Sequence, residues 1–164
     1  MTIKRDFFNS FKSSFIYRSK KGQNMQQKSK ILLVEDNLAD VELTKIAFQS
    51  QQINSQIVHC EDGEKALHYL KDNSIEEFSY MLLDLNMPRL NGIDLLKICK
   101  QDPVMRRLPV IVFTTSANNN DIQRCYELGA NAYVLKPVDY EKFDSAIRAI
   151  NGFWGEINVQ GNFV

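Results

Sequence analysis

The sequence predicts an α/β fold, an open doubly wound sheet of five parallel strands that alternate with five helices. Three observations carry this reading. Five short apolar runs recur between residues 30 and 150, each bounded by turn residues. None of them alternates polar with apolar residues; continuous apolar runs suit parallel strands covered by helices on both faces. Between the runs lie segments with apolar residues at helical spacing, behind Asp or Asn residues placed as helix caps.

Ile31 to Val34 is the first strand, and Asp36 or Asn37 can cap a helix whose Leu43, Ile46 and Ala47 share a face. Gln56 to His59 is a second, weaker strand. Asp62-Gly63 then opens a helix with Ala66, Leu67 and Leu70 on one stripe. Tyr80 to Leu83 is the third strand, ending in Asp84 and a turn that holds Pro88 and Asn91-Gly92. The helix carrying Leu95, Leu96 and Cys99 should stop near Asp102-Pro103, because the residue before proline is pushed out of the helical region. Pro109 to Phe113 is the fourth strand. Asn118 to Asp121 caps a fourth helix that ends at Gly129, a residue suited to the left-handed position after a helix. Ala132 to Leu135 is the fifth strand, and Phe143, Ala146, Ile147 and Ile150 give the last helix its inward face.

The 164 residues suit one domain with an appendage, and 44% apolar with 24% charged residues is an ordinary globular composition. The net charge of zero hides an asymmetry. Residues 1–30 hold eight Lys and Arg against Asp6 alone, which leaves twelve basic and nineteen acidic residues in the remainder. An acidic body makes nucleic acid an unsuitable direct partner. Cys60, Cys99 and Cys125 are odd in number and lack metal-site spacing, so they read as reduced structural thiols. No apolar run approaches a membrane span, and the N-terminus lacks the apolar centre of a secretory signal; the cytoplasm is the expected location. Phe7, Phe8, Phe11 and Phe15 lie among Lys4, Arg5 and Lys12, an amphipathic pattern that fits a membrane surface or a partner. A flexible extension is the simpler expectation for this stretch, and Met25 is a second plausible start. His59 and His68 accompany no kinase-type or metal motif and are expected at the surface or its rim.

In open α/β sheets ligands bind beyond the carboxyl ends of the strands, where the strand order reverses. Read there, the sequence delivers Glu35 and Asp36, then Asp84, Thr114 and Lys136, from four separate segments. Three carboxylates brought together repel one another unless a cation offsets them. Mg²⁺ suits the role: it takes oxygen ligands, is commonly held by one or two carboxylates, and keeps waters that a phosphate can replace. Lys136 adds a compact positive charge for phosphoryl oxygens. There is no glycine-rich phosphate loop, so the phosphate need not belong to a nucleotide, and the Asp84 carboxylate can itself be the nucleophile.

These blocks carry a resemblance. Ile-Leu-Leu-Val-Glu35-Asp36, Leu-Leu-Asp84-Leu-Asn-Met-Pro, Val-Phe-Thr114-Thr-Ser and Tyr133-Val-Leu-Lys136-Pro137 stand in the order of the receiver domain of two-component response regulators. The resemblance spans about residues 30–150. It implies a flavodoxin-like (βα)5 sheet of order 2-1-3-4-5, with a receiver domain over 30–152, an extension at 1–29 and a short tail at 153–164. It also implies that Asp84 accepts a phosphoryl group from the phosphohistidine of a sensor histidine kinase. Glu35, Asp36, Asp84 and the backbone carbonyl of Asn86 would hold Mg²⁺, Thr114 would bond the phosphoryl oxygens, and Tyr133 would change rotamer with it. The Lys136-Pro137 bond would be cis.

The run after Thr114, the Asp121 to Tyr133 stretch, Lys136-Pro-Val-Asp and Phe153-Trp154 are similar to small regulators that partner bacterial phytochrome kinases. That likeness implies a homodimer through the fourth helix, fifth strand and fifth helix. After Ile150 too few residues remain for a DNA-binding or enzymatic unit, so output is expected to pass through a partner or self-association. Phe153 and Trp154 either pack the end of the last helix or anchor an interface. A binding module indifferent to phosphate would not need the acidic pair, Thr114 and Lys136. A phosphohydrolase working through an aspartyl-phosphate would need an acid two positions after Asp84, where Asn86 stands.

Overall fold

The computed structural model describes residues 30–159. The basic N-terminal extension, with its phenylalanines and Met25, and the last five residues lie outside them. Strand β1 (Lys30–Val34) leads through helix α1 (Leu38–Ser50) to β2 (Gln56–Cys60) and α2 (Gly63–Asp72). After β3 (Phe78–Leu83) come α3 (Gly92–Gln101), β4 (Val110–Thr114), α4 (Asn119–Glu127), β5 (Ala132–Leu135) and α5 (Tyr140–Asn151). Short 3-10 turns at Ile75–Glu77 and Met105–Arg107 precede β3 and β4.

All five strands are parallel, in the order β2-β1-β3-β4-β5. Alternate residues of the central strands point to opposite faces, which divides the core in two. Leu32, Val34, Met81, Leu83, Val110 and Val112 pack with Ala66, Leu70, Leu95, Leu96 and Cys125 of α2, α3 and α4. Ile31, Leu33, Tyr80, Leu82, Ile111 and Phe113 pack with Val41, Phe48, Phe143 and Ile147 of α1 and α5. The unbroken apolar runs of β1, β3 and β4 follow from this double burial. The edge strands β2 and β5 are only half-buried, which is why Gln56 and His59 are tolerated in the second strand.

Each helix begins on an Asn or Asp whose side chain accepts a backbone N–H: Asn37 from Ala39, Asp62 from Lys65, Asn91 from Asp94, Asn118 from Asn120 and Asp139 from Lys142. Such a cap satisfies a donor that the helix itself leaves unpaired. Asn37 therefore caps α1, and Asp36 is left exposed with its carboxylate uncommitted. At the other end of α4, Gly129 has φ +96° and its N–H bonds the carbonyl of Tyr126, as its position in the sequence predicts.

The last helix does not stop at residue 152. It continues as a π-helical turn, Gly152–Ile157, within what reads in sequence as a tail. Asn151 holds this turn: its side chain meets the Tyr80 hydroxyl at 3.5 Å and Glu156 at 3.3 Å. Gly155 passes so close that a Cβ there would lie 2.5 Å from Asn151 Oδ1. Trp154 packs on the α1/α5 side of the core, while Phe153 stays exposed with its ring edge-on to Trp154 at 4.9 Å. Trp154 thus packs the helix end.

Candidate functional site

At the carboxyl ends of β1, β3 and β5 a cluster of charges is shut away from water. Glu35 is 3% exposed and Asp84 6%, and the Lys136 side chain is 5% exposed. Glu35 follows β1, with its N–H on the Cys60 carbonyl; Asp84 follows β3, with its N–H on the Val34 carbonyl. These neighbouring strands deliver both carboxylates to one place. Lys136 follows β5, its N–H on the Thr114 carbonyl at 2.8 Å, and reaches back across the sheet. Its Nζ donates to Glu35 Oε2 at 2.5 Å and Asp40 Oδ2 at 2.8 Å, and stands 3.7 Å from Asp84 Oδ1.

Burial raises the Glu35 pKa to about 7, against the hydrogen bond and charge of Lys136. Burial also opposes the Lys136 ammonium, but its hydrogen bonds to Asp40 and Glu35 outweigh this and leave its pKa above the ordinary lysine value.

Oxygens of Glu35, Asp36 and Asp84 lie within 4.8 Å of one another. Asp84 Oδ1 is buried and accepts no hydrogen bond from any group among the described residues. A buried carboxylate oxygen without a partner is costly, and Lys136 lies too far away to supply one. An oxygen-preferring divalent cation at the trio would satisfy that oxygen and offset the clustered charge, so the residues fit Mg²⁺. Asn86 is exposed on the loop after Asp84 and lines an open cleft with Leu85, Asn91, Asp94, Asp121 and Arg124.

Thr114 closes β4 beside the cluster and is fully buried. Its Oγ1 accepts the Ser116 N–H at 3.4 Å. Ser116 ties two further elements to this loop: its carbonyl accepts the Tyr133 hydroxyl at 2.9 Å, and its own hydroxyl donates to Asp121 Oδ2 at 2.7 Å. Tyr133 is half-buried against the α2–α4 side of the core, and burial raises its pKa. Thr114 and Tyr133 are thereby linked through one residue, Ser116.

The loop after Asp84 is pinned from two sides. Gly92 is required by close approach, since a Cβ would lie 2.1 Å from the Asp84 carbonyl oxygen. Arg89, in the left-handed region at φ 62°, pairs with the fully buried Asp62 that caps α2.

One expectation fails. The Lys136-Pro137 bond is trans, as are all peptide bonds among the described residues. The trans isomer is favoured before proline by about 0.5–1 kcal/mol. Here Lys136 is turned inward without a cis bond, by its backbone bond to Thr114 and the carboxylates of Glu35 and Asp40.

Two contacts escape sequence reasoning. Asp40 reads in sequence as an ordinary acidic residue of a first helical turn, and only the fold brings it to Lys136, 96 residues away. His59 is half-buried at the rim, as expected, but its Nε2 lies 2.8 Å from the Glu35 carbonyl. His68 is exposed. No helical spacing links Asp40 to the acidic pair, because Asp36 precedes the Asn37 cap and lies outside α1.

Residues 31–148 match the model of the response regulator receiver domain. Response regulator Rcp1 of Synechocystis sp. is 35% identical over 130 residues, covering 77% of this chain and 88% of that one. The crystal structure of the phosphorylated cyanobacterial phytochrome response regulator RcpA superposes with a TM-score of 0.76 at 33% identity, over 82% of this chain and 99% of that one. The Mn²⁺-bound form of Rcp1 gives 0.74 at 33% identity with the same coverage. With its five parallel strands in the order β2-β1-β3-β4-β5 and these motifs at their ends, the chain belongs to the response regulator receiver domain family, among relatives of the phytochrome response regulators.

Proposed function

We propose that this chain is a phosphorylation-controlled signalling switch whose acceptor is Asp84. The observation that carries the reading is Asp84 Oδ1, buried and unbonded between two further acids and a buried lysine. A purely structural carboxylate has no reason to sit so. The donor is the phosphohistidine of a sensor histidine kinase: the P–N bond breaks as an Asp84 oxygen bonds phosphorus, and the imidazole leaves. Glu35, Asp36, Asp84 and the Asn86 carbonyl would hold Mg²⁺, which when bound would neutralise the charge spread over the phosphoryl oxygens. Lys136 contributes positive charge from the end of the edge strand β5, and Thr114 donates its hydroxyl to a phosphoryl oxygen. That new bond draws the loop after β4, and Tyr133 follows because its hydroxyl is held by Ser116. The phosphoryl group thus biases one of two packings.

The likeness to regulators whose names carry phytochrome supports a phytochrome-type kinase as partner. Tyr126 on α4, Leu135 on β5 and Tyr140 on α5 are exposed, which supports self-association through these elements. No described helix is long and apolar enough to cross a membrane, in keeping with a cytoplasmic switch. The chain acts on no other substrate in this reading.

The test is incubation with acetyl phosphate and Mg²⁺ followed by intact-mass measurement. A single phosphoryl adduct is expected, absent without Mg²⁺ and absent in Asp84→Asn. An unmodified mass under conditions that label other receivers defeats the proposal.

A further inference from the structure

The ammonium of Lys136 has three N–H donors and three carboxylates around it. Two donors are spent, on Glu35 Oε2 at 2.5 Å and Asp40 Oδ2 at 2.8 Å, while Asp84 Oδ1 at 3.7 Å receives none. Glu35 and Asp84 both belong to the trio of oxygens that fits a divalent ion, and Asp40 does not. An ion that claims Glu35 therefore competes with Lys136 for that carboxylate. Among the described residues, the one carboxylate partner of Lys136 outside the trio is Asp40. Its backbone is fixed by the start of α1, where Asn37 caps the helix and Thr44 donates to the Asp40 carbonyl at 2.8 Å.

We propose that Asp40 is the positioning residue for Lys136, holding the ammonium beside Asp84 when a metal ion takes Glu35, with a donor free for the phosphoryl group. The metal-binding half of this inference stands without phosphorylation; the phosphoryl half rests on the function proposed above. Removing the Asp40 carboxylate leaves Lys136 leaning wholly on Glu35, where it opposes the metal. A competing explanation is that Asp40 merely adds negative charge near the ion and to the first turn of α1. The two differ in whether the effect needs Lys136.

A double-mutant cycle separates them: wild type, Asp40→Asn, Lys136→Met and the double variant, each titrated with Mg²⁺ by calorimetry and then labelled with acetyl phosphate. Asp40→Asn is expected to weaken Mg²⁺ binding and slow adduct formation, each by about tenfold, as lost partners of a site residue do. In the Lys136→Met background the same substitution is expected to change Mg²⁺ binding little, and Asp40→Glu is expected to restore most of both. Equal weakening of Mg²⁺ binding in the two backgrounds reduces Asp40 to a bystander charge and overturns the proposal, as does wild-type behaviour of Asp40→Asn. If Lys136→Met fails to fold, Lys136→Gln takes its place in the cycle with the same expected outcomes. Were no variant labelled while the Mg²⁺ cycle remained non-additive, the switch function would fall and Asp40's hold on Lys136 would stand.

Discussion

Glu35 is where proton binding and metal binding meet. Burial raises its pKa to about 7, above the ordinary 4.5, so below that pH the folded metal-free protein favours the neutral acid. Between those two values the native state binds more protons than the unfolded chain, and stability falls as pH rises through that window. Thermal melts of the metal-free protein should show this decline, and Glu35→Gln should flatten it. A ligand carboxylate must be ionised, so Mg²⁺ affinity should drop by about tenfold per pH unit below the Glu35 pKa. A pH-independent Mg²⁺ affinity between pH 5 and 7 would contradict the assignment. At this scale Glu35, Asp36, Asp84, Thr114 and Lys136 were legible, because each ends or follows an apolar run. Asp40 and the Ser116 link between Thr114 and Tyr133 were not, because helical phase and loop path decide them.

Among the elements, the loop between β3 and α3 has the least room to change. A Cβ on Gly92 would lie 2.1 Å from the Asp84 carbonyl oxygen and 2.7 Å from the Leu85 Cα, both backbone atoms that cannot rotate away. Gly92→Ala should therefore destabilise the fold by about 2–3 kcal/mol, as overpacking does, and displace Asp84. Denaturant unfolding measures the first effect and Mg²⁺ affinity the second; an unchanged midpoint would refute the contact. The strands and their helices were readable from apolar runs and caps because local sequence and burial agree there. The π-helical turn at Gly152–Ile157 was not, since it depends on Asn151 meeting Tyr80 and Glu156. The cis bond expected before Pro137 came from resemblance alone, and the trans bond found there leaves Lys136 facing inward all the same.

For the molecule as a whole, parallel strands in the order β2-β1-β3-β4-β5 put the ends of β1, β3 and β5 on one side and make a site of residues distant in sequence. That order follows from the receiver resemblance and from no single motif. Exposed Tyr126, Leu135 and Tyr140 mark the surface where the switch is expected to be read. Light scattering at high concentration should find a dimer, before or after phosphorylation, that Leu135→Asp dissociates; a monomer in both states would remove self-association from the account.

The proposed switch works only if Asp84 is the acceptor. Borohydride reduces an acyl phosphate of aspartate to homoserine, which marks the modified position permanently. Peptide mass mapping of the protein treated with acetyl phosphate, Mg²⁺ and borohydride should find homoserine at position 84 and Asp36 and Asp40 intact. Homoserine at another position, or an adduct that borohydride leaves untouched, would contradict it.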